Sequence, residues 1–360
     1  MPPRVPKKPQ TEGSFNFDPD AFLEKWEKGE IGIPKDNDFQ KCIIRAFGLR
    51  SNDSYIYRAT AEVTLAQAQA YLNHGGEGRL LEWYRDEEGK QRDPPPQADI
   101  QAYTTIFQAT SSTPKALTGF SSNAKKDSLR SLIATHLSNL YSPPPNSIPI
   151  PKLKSAPCNP YLDIWSWSCA ALSWSGPDPD TSRTQISHAI LPVLYHHFGC
   201  IVPTHDAQVV IAALAKGRTV IDLGSGNGYW TYMLRRAKVD VLPVDSGLSE
   251  WRTVWIGDTV VADGVEFLAR RGGAKDDVLL LVYPQVGAEF TSRVLRAYKG
   301  DTIVVAGTQN ANGFTAFANE TIASWMAREM PSFEKVCQVP LPSFAAKDEA
   351  LFAFVKKRES

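Results

Sequence analysis

Three glycines spaced two residues apart constrain the fold of this 360-residue chain more than any other feature. Residues 219–223 form a β-branched run typical of a buried strand, and residues 229–237 have the spacing of a helix. Gly224, Gly226 and Gly228 lie between them, where a ligand can approach the backbone because no Cβ obstructs it. An open parallel sheet places its nucleotide loop at such a strand–loop–helix turn.

From residue 217 onwards, short β-branched runs alternate with helical stretches. Residues 278–283 are almost continuously apolar, which is typical of a central parallel strand covered on both faces. The last two predicted strands have no helix between them, so the last one is expected to be antiparallel. The pattern predicts an α/β fold, a Rossmann-like doubly wound sheet with a terminal antiparallel strand, preceded by a mainly helical N-terminal region. The predicted strands are residues 219–223, 239–245, 259–262, 278–283, 302–306, 334–339 and 351–356, and the predicted helices are residues 229–237, 265–270, 290–298 and 314–330.

Shifts in composition divide the chain into five predicted segments. Prolines in residues 142–160 disfavour helix and central strand and favour an extended tether, so a domain boundary is expected there. Before it, apolar residues recur at helical spacing at residues 22–26, 65–72 and 129–140, with a loop at residues 75–76. The segments are a disordered tail (1–13), a helical N-terminal region of unassigned role (14–141), a Pro-rich linker (142–160), a helical lead-in or lid (161–216) and the α/β domain (217–360).

Three tryptophans, Trp165, Trp167 and Trp174, lie close together in the lead-in. A helical stretch is predicted after them at residues 186–198. The tryptophans either pack the lead-in against the following domain or form an aromatic wall over a ligand pocket. Both interpretations are open from the sequence.

The formal charge is zero, with 39 basic and 39 acidic residues. This balance excludes a globally basic nucleic-acid binder and disfavours nucleic acid as a partner, although a local basic patch is compatible with it. No apolar run of about 18 residues is present, so no membrane association is expected. The five cysteines are scattered and odd in number, which favours a reducing compartment. We expect a cytoplasmic protein, with the nucleus as the alternative suggested by the basic residues Arg4, Lys7 and Lys8.

The spacing of the glycine loop separates two classes of ligand. A pyrophosphate cofactor prefers G-x-G-x-x-G, but the third glycine position is occupied by Tyr229. The pattern here is D-x-G-x-G-x-G, with Asp222 at the end of the strand. Two further acids, Asp245 and Asp263, end the next two predicted strands. Each acid also has a structural interpretation: Asp222 as a helix-cap partner, Asp245 as a turn residue and Asp263 as an N-cap.

This motif resembles the first motif of the class I S-adenosylmethionine-dependent methyltransferases. A narrower resemblance, from about residue 201 to the end, is to a poorly characterised methyltransferase-like branch with a G-x-G-x-G-Y-W loop. The resemblance implies that S-adenosylmethionine is the cofactor, with Asp222 near its ammonium group, Asp245 on the ribose hydroxyls and Asp263-Gly264 at the adenine. The residues expected to bind it are Asp222, Gly224, Ser225, Gly226, Gly228, Asp245, Asp263, Gly264 and Tyr283.

The chain departs from that branch at two strand ends. Trp-Pro-Pro is replaced by Tyr283-Pro284-Gln285, and Gly-Glu by Gly307-Thr308. Enzymes that methylate base amines carry Asp or Asn before Pro-Pro, so methylation of adenine N6 or cytosine N4 is disfavoured. The catalytic candidates are Tyr283, as a hydrogen-bonding partner, and Gln285, as a neutral positioner. The histidines are expected to be structural, and no metal site is expected.

Two functions from different classes are open. The first is a methyltransferase whose acceptor is unidentified, with a small molecule or a protein favoured over nucleic acid and with the N-terminal region selecting the substrate or binding a protein partner. The second is a catalytically inactive methyltransferase-like binding or scaffold protein. A weaker third is an aminopropyltransferase, suggested by Asp263-Gly264-x-x-Phe267-Leu268, but no acidic channel residues follow the fourth strand.

Overall fold

The structure is a computed structural model that describes residues 17–59, 61–74, 82–184 and 186–358. The predicted tail at residues 1–13 and the predicted loop at residues 75–76 lie outside the described residues.

The N-terminal region is mainly helical, as predicted. The side chain of Asp18 accepts hydrogen bonds from the amides of Asp20 and Ala21, and Pro19 occupies the first turn, so these two residues fix the start of the first helix. A short hairpin interrupts the helices. The elements are α1 (Pro19–Glu27), α2 (Phe39–Phe47), β1 (Tyr57–Arg58), β2 (Glu62–Val63), α3 (Leu65–Asn73), α4 (Gln97–Thr105), α5 (Thr113–Ser122) and α6 (Leu129–Leu140).

The proline-rich residues 142–160 contain no helix or paired strand, apart from the first turn of the next helix at Pro160. They are nevertheless held against the rest of the chain. Ser142 exchanges backbone hydrogen bonds of 2.9 and 2.8 Å with Gln338, and Ile148 is buried against the sheet. The segment is therefore irregular but packed, and the domain boundary within it stays a prediction.

The lead-in forms two helices, α7 (Pro160–Ala171) and α8 (Leu191–Phe198). The predicted helix at residues 186–198 is confirmed for Leu191–Phe198 and wrong for residues 186–190, which precede α8. Pro192 lies in its first turn, where the missing N–H is tolerated. Ile186 stands before the helix with 66% of its surface exposed.

The tryptophan cluster is a packing feature. The indole nitrogens of Trp165 and Trp174 both donate to the carbonyl of Ser343, at 3.0 and 2.8 Å. Trp167 stacks on Phe39 of α2, with 5.7 Å between ring centroids. The cluster thus joins the lead-in to the N-terminal region and to the end of the chain, and none of its members lines the large cavity described below.

A seven-stranded sheet follows α9 (His205–Ala215), in the order β5-β4-β3-β6-β7-β9-β8. Strands β3 to β7 pair in parallel, while β9 is antiparallel to both of its neighbours. The order and the antiparallel insertion define a Rossmann-like doubly wound sheet with a terminal antiparallel strand, as predicted. The strands are β3 (Val220–Leu223), β4 (Val241–Asp245), β5 (Val260–Val261), β6 (Val278–Val282), β7 (Thr302–Thr308), β8 (Phe333–Pro340) and β9 (Glu349–Lys356), and the helices are α10 (Tyr229–Arg236), α11 (Gly264–Arg270), α12 (Phe290–Ala297) and α13 (Ile322–Glu329).

The predicted helix at residues 314–330 is wrong over its first half, because α13 begins at Ile322. Ala316 has a φ of 61°, which is incompatible with a right-handed helix, and its amide donates to the carbonyl of Pro284 at 2.8 Å. Thr321 then caps α13 by accepting from the amide of Ser324. Hydrogen bonding to the end of β6 therefore overrides the helical pattern of these residues.

Three hydrophobic clusters hold the elements together. Two of them cover opposite faces of the sheet, with the adjacent β3 residues Val220 and Ile221 facing one each. The third contains the N-terminal helices, the lead-in and residues that follow β4. In it, Phe22 packs edge-on against Trp255, with 5.4 Å between ring centroids, and Phe198 stacks on the same indole. The N-terminal region therefore shares a continuous core with the α/β part of the chain.

Candidate functional site

A cavity of about 810 Å³ opens where the carboxyl ends of β3, β4 and β6 meet the glycine loop. This is the crevice at which the strand order reverses, since β3 has β4 on one side and β6 on the other. Gly228 is the one predicted site residue that does not line the cavity. The predicted residues that do line it are Asp222, Gly224, Ser225, Gly226, Asp245, Asp263, Gly264, Tyr283 and Gln285.

The three glycines of the loop have positive φ angles but different surroundings. A Cβ on Gly224 would meet no atom within 4 Å, so this backbone faces open space in the cavity wall. A Cβ on Gly226 would lie 2.9 Å from the indole of Trp251, and one on Gly228 would lie 2.2 Å from Cγ1 of Ile256. Close packing of neighbouring side chains therefore requires the second and third glycines.

Asp222 ends β3 with its carboxyl group fully buried. Its Oδ2 accepts a hydrogen bond of 2.6 Å from the hydroxyl of Thr231, while Oδ1 has no partner. Burial raises the pKa of this carboxyl group to about 7, with the Thr231 hydrogen bond opposing the shift. An unsatisfied carboxylate oxygen on the wall of a cavity is suited to a cationic ligand group, whose charge would favour ionisation.

Two unsatisfied polar groups lie beside Asp222 in the same wall. Nδ2 of Asn227 and Oγ of Ser225 are buried and lack hydrogen-bond partners, and both residues line the cavity. Together with Asp222 they offer an acceptor and two donors, which matches the ammonium and carboxylate ends of an amino acid. The sequence did not single out Asn227, because the D-x-G-x-G-x-G pattern specifies no residue type at this position.

Asp245, at the end of β4, joins two loops. Its Oδ2 accepts from the amide of Gly226 at 3.0 Å, and its Oδ1 accepts from the amide of Gly247 at 2.8 Å. Burial raises the pKa of this carboxyl group, and the two amides oppose the shift. The interpretation of Asp245 as a turn residue therefore applies to Oδ1, which accepts from Gly247 in the turn after β4. Each oxygen keeps a second lone pair for a hydroxyl donor in the cavity.

Asp263 is the N-cap of α11, which is the structural interpretation of this residue given by the sequence. Its Oδ1 accepts from the amides of Val265 and Glu266, at 2.9 and 3.0 Å. Its neighbour Gly264 packs against Leu223, since a Cβ there would lie 2.7 Å from Cδ2 of that leucine. The cap and the close packing together hold this edge of the cavity in place.

The end of β6 departs from regular strand geometry. Tyr283 has a φ of 51°, and its ring lies 5.7 Å from that of Tyr195 in an edge-on arrangement. Gln285 is exposed at the cavity. The carbonyl of Pro284 between them accepts a hydrogen bond from the amide of Ala316. This β6 turn therefore presents a phenol and a carboxamide to the cavity.

Four residues of the N-terminal region, Tyr55, Ile56, Arg58 and Ala59, also line the cavity, which the sequence did not predict; the segment 55–59 is called the roof below. The ring of His196 holds this roof: Nδ1 lies 3.1 Å from the hydroxyl of Tyr55, and Nε2 lies 3.1 and 2.8 Å from the backbone nitrogen and oxygen of Arg58. Burial lowers the pKa of His196. No local pattern could have revealed this contact, because about 140 residues separate its two sides.

A second set of contacts holds the same roof segment in place. The ring of His197 lies between the hydroxyls of Tyr57 and Thr253, at 3.1 and 2.8 Å. The buried guanidinium of Arg252 pairs with Asp53 and lies 4.1 Å from the ring of Tyr55. Both adjacent histidines therefore bond to the N-terminal region through different partners, and His196 also lines the cavity.

Substitution of Arg252 by leucine is expected to lower the free energy of unfolding by about 3 kcal/mol, because Asp53 would be left largely buried without its counter-charge. Urea denaturation measures this loss. Arg328→Leu is the matched control, since the ion pair of Arg328 with Glu320 is exposed and should contribute far less. Equal losses in the two variants would contradict the anchoring role of Arg252.

Within residues 17–59, 61–74, 82–184 and 186–358, no three His, Cys, Asp or Glu side chains are grouped as a metal site requires. In the same part of the chain, no helix is long and apolar enough to cross a membrane. All five cysteines are described, and each has a free thiol.

The strand order, the antiparallel β9 and the glycine loop at the strand-order reversal define a Rossmann-like doubly wound fold with its cavity at the switch point. No protein-family model matches the chain, and no curated protein matches it either.

Solved structures with low similarity include three methyltransferases. One is the 1,6-didemethyltoxoflavin-N1-methyltransferase of Burkholderia thailandensis, at 14% identity over 41% of this chain and 76% of that chain, with a TM-score of 0.26. A second is the antibiotic-resistance methyltransferase Kmr, at 15% identity over 40% and 88% of the two chains, with a TM-score of 0.26. A third is CalO1, a methyltransferase in calicheamicin biosynthesis, at 14% identity over 82% and 100%, with a TM-score of 0.30. The fold class rests on the strand order of this chain, since these scores are low.

Proposed function

We propose that this protein is an S-adenosylmethionine-dependent methyltransferase that acts on a small molecule or a protein side chain. The observation that carries the proposal is the unpartnered Oδ1 of Asp222, which is buried in the cavity wall beside the open backbone of Gly224. A buried carboxylate oxygen without a hydrogen bond is costly unless a ligand cation completes it.

The other groups of the cavity fit the same ligand. Asn227 and Ser225 would hold the carboxylate of the amino acid end, Asp245 the ribose hydroxyls, and Asp263 with Gly264 the adenine edge. When bound, the cofactor supplies an electrophilic methyl group on a sulfonium. Cavities for one drug-sized ligand run from roughly 300 to 1,000 Å³, so a volume of 810 Å³ leaves room for part of an acceptor.

The roof formed by residues 55–59 supports a role of the N-terminal region in acceptor selection. Ile56 in the roof and Leu248 after β4 line the cavity and are exposed by 39% and 68%. Exposed apolar side chains at a cavity favour an acceptor with an apolar face. The zero net charge of the chain favours a small molecule or a protein over nucleic acid.

The β6 turn supports the exclusion of base amines. Tyr283 occupies the position of the Asp or Asn that would accept from such an amine, and the Pro284 carbonyl already accepts from Ala316. Tyr283 and Gln285 are instead the groups that would position the acceptor nucleophile.

The same altered turn favours a second candidate function, a binding or scaffold protein that keeps the cofactor site without transferring a methyl group. Calorimetric titration with S-adenosylmethionine and with S-adenosylhomocysteine tests both proposals in part. If neither ligand binds at about 1 mM, the proposal that this protein is a methyltransferase is refuted. If both bind, turnover in a screen of small-molecule and protein acceptors separates the two functions.

Replacement of Asp245 by alanine is expected to weaken S-adenosylhomocysteine binding by about 1.5 to 3 kcal/mol, because the ribose would lose a charged acceptor and the amides of Gly226 and Gly247 would lose theirs. Calorimetry measures the loss. Asp240→Ala is the control, since Asp240 lies at the opposite end of β4, where it accepts from Thr219. Unchanged affinity in Asp245→Ala would refute the ribose assignment.

A further inference from the structure

Tyr195 of α8 lines the cavity but has no role in the site described above. Its side chain is 5% exposed, and its buried hydroxyl has no hydrogen bond of normal geometry. Two other tyrosines of the same core show the usual arrangement: the hydroxyl of Tyr161 donates to the carbonyl of Gly199 at 2.7 Å, and that of Tyr229 to Oδ1 of Asn159 at 2.8 Å. A buried hydroxyl without such a partner costs free energy, so that of Tyr195 is suited to a ligand atom.

Tyr195 belongs to a continuous part of the cavity wall. Its ring meets that of Tyr283 edge-on, with 5.7 Å between centroids. The β6 turn is joined in turn to α12, since the hydroxyl of Thr291 donates to the carbonyl of Gln285 at 3.3 Å. Arg293, in the first turn of α12, lines the same cavity. The wall therefore runs from a buried phenol, across the β6 turn, to a guanidinium group.

Arg293 brings a positive charge to this wall. Within the described part of the chain, its exposed guanidinium forms no ion pair or hydrogen bond, whereas Arg296 on the same helix pairs with Glu329 at 3.0 Å. Arg58, the other guanidinium that lines the cavity, pairs with Glu62 at 3.1 Å. The wall thus combines hydrogen-bond donors with an uncompensated cation, which suits an anionic ligand group.

The acids and the histidine that line the cavity are engaged elsewhere. Asp222, Asp245 and Asp263 belong to the proposed cofactor site. Both ring nitrogens of His196 are held by the roof. Glu250 lies near the roof as well, since its carboxylate opposes the burial that lowers the pKa of His196. Among the described residues that line the cavity, none of these groups is left at the β6 turn to remove a proton from an acceptor.

The phenols cannot take that role either. Burial raises the pKa values of Tyr195 and Tyr283, so both hydroxyls stay protonated at neutral pH and act as donors. An acceptor that must lose a proton, such as an alcohol or an ammonium group, needs a general base. An acceptor that is already anionic at neutral pH needs none.

We propose that Tyr195 and Arg293 bind an acceptor whose nucleophile is an oxyanion, as in a carboxylate. The inference rests on the proposed function. In the transfer, a lone pair of the oxyanion forms a bond to the methyl carbon, and the carbon–sulfur bond breaks with its electron pair left on sulfur. The negative charge of the acceptor and the positive charge of the sulfonium cancel, and no proton moves. Donors and a cation, without a base, are therefore sufficient for this reaction.

The experiment compares benzoate with neutral benzamide, which has nearly the same shape, by ligand-observed NMR titration of the full chain saturated with S-adenosylhomocysteine. Benzene rings also suit the exposed apolar side chains of Ile56 and Leu248 in the cavity. We expect benzoate to bind roughly 10-fold more tightly than benzamide, because hydrogen bonds to a charged group are the stronger ones. Equal affinities, or no binding of benzoate at about 10 mM, would overturn the inference.

Tyr195→Phe should weaken benzoate binding roughly 10-fold and leave the affinity for S-adenosylhomocysteine unchanged. It should not lower the urea midpoint of the ligand-free protein, because the hydroxyl has no partner there. Tyr161→Phe is the matched control: it loses the bond to Gly199 and should lower the midpoint, but it does not line the cavity and should keep benzoate affinity. If Tyr195→Phe weakens S-adenosylhomocysteine instead, the hydroxyl serves the cofactor and the inference is wrong.

Arg293→Gln should weaken benzoate binding roughly 3- to 5-fold and benzamide binding less, because an exposed charge is screened by solvent. Arg296→Gln, on the same helix but outside the cavity, should change neither affinity. Since Arg293 is exposed, this variant tests the inference even if Tyr195→Phe fails to fold. Wild-type preference for benzoate in Arg293→Gln would contradict the role of the guanidinium.

Two sources of a carboxylate are separated by a second pair of probes, N-acetylglutamate amide and N-acetylglutamine amide. Tighter binding of the glutamate compound than of benzoate would assign the oxyanion to a protein side chain, and the reverse order to an aromatic small molecule. Failure of the proposed function gives a different result, since S-adenosylhomocysteine itself would then not bind.

Discussion

Asp222→Asn should abolish most of the cofactor affinity and yet stabilise the ligand-free protein. Asparagine keeps the size of the side chain and can still accept from Thr231, but it offers no negative charge to an ammonium group. Loss of a charge-assisted hydrogen bond should weaken S-adenosylhomocysteine binding roughly 10- to 150-fold. Calorimetry measures the affinity, and urea denaturation without ligand measures the stability.

The gain in stability follows from the raised pKa of the Asp222 carboxyl group, about 7 in the folded protein against the ordinary value of 3.8. Between these two values the folded state binds more protons than the unfolded state, so the free energy of unfolding falls as pH rises from about 4 to about 7. Above pH 7 the loss is complete and is on the order of 4 kcal/mol. Asparagine removes this loss. The free energy of unfolding of the variant should therefore exceed that of the wild type most at pH 8 and only slightly at pH 4.

Ligand affinity should follow the opposite trend with pH. The ammonium group binds the ionised carboxylate, so the affinity of the wild type for S-adenosylhomocysteine should fall as pH decreases below about 7. Asp222→Asn should show no such dependence. Wild-type affinity in the variant, or a variant that is less stable than the wild type at pH 8, would contradict the assignment of Asp222.

Gly228→Ala should destabilise the fold by about 3 kcal/mol or more without acting on the cavity. The new Cβ would lie 2.2 Å from Cγ1 of Ile256, and the φ of 82° is unfavourable for alanine. Gly228 does not line the cavity, so the fraction of protein that remains folded should keep near-normal affinity for S-adenosylhomocysteine. Urea denaturation and calorimetry on the same preparation measure the two effects.

Gly224→Ala is the matched comparison, because Gly224 has a similar φ of 85° but no atom within 4 Å of an added Cβ. Only the backbone strain remains, so the expected loss of stability is about 1 kcal/mol. The methyl group would project towards the cavity and should weaken ligand binding. The two variants should therefore separate stability from affinity, and a larger stability loss in Gly224→Ala than in Gly228→Ala would refute this division of roles.

Local patterns predicted the sheet well because strands buried on both faces leave a continuous apolar run. Residues 278–283 predicted β6, observed at Val278–Val282, and the terminal pair without a helix predicted an antiparallel β9. The helix predicted at residues 314–330 was half wrong, because the hydrogen bond from Ala316 to Pro284 joins segments far apart in the sequence. Helical spacing carries no information about such a partner.

The sequence alone determined the strand–loop–helix turn and the acids at the strand ends, since their spacing and residue types depend on neighbours along the chain. Only the tertiary structure decided which atoms remain available to a ligand. It showed that Asp222 keeps an oxygen without a hydrogen bond while Asp245 bonds two amides, and that Tyr55, Ile56, Arg58 and Ala59 of the distant N-terminal region line the cavity. The physical reason is that burial and hydrogen-bond satisfaction are set by residues brought together from distant parts of the chain.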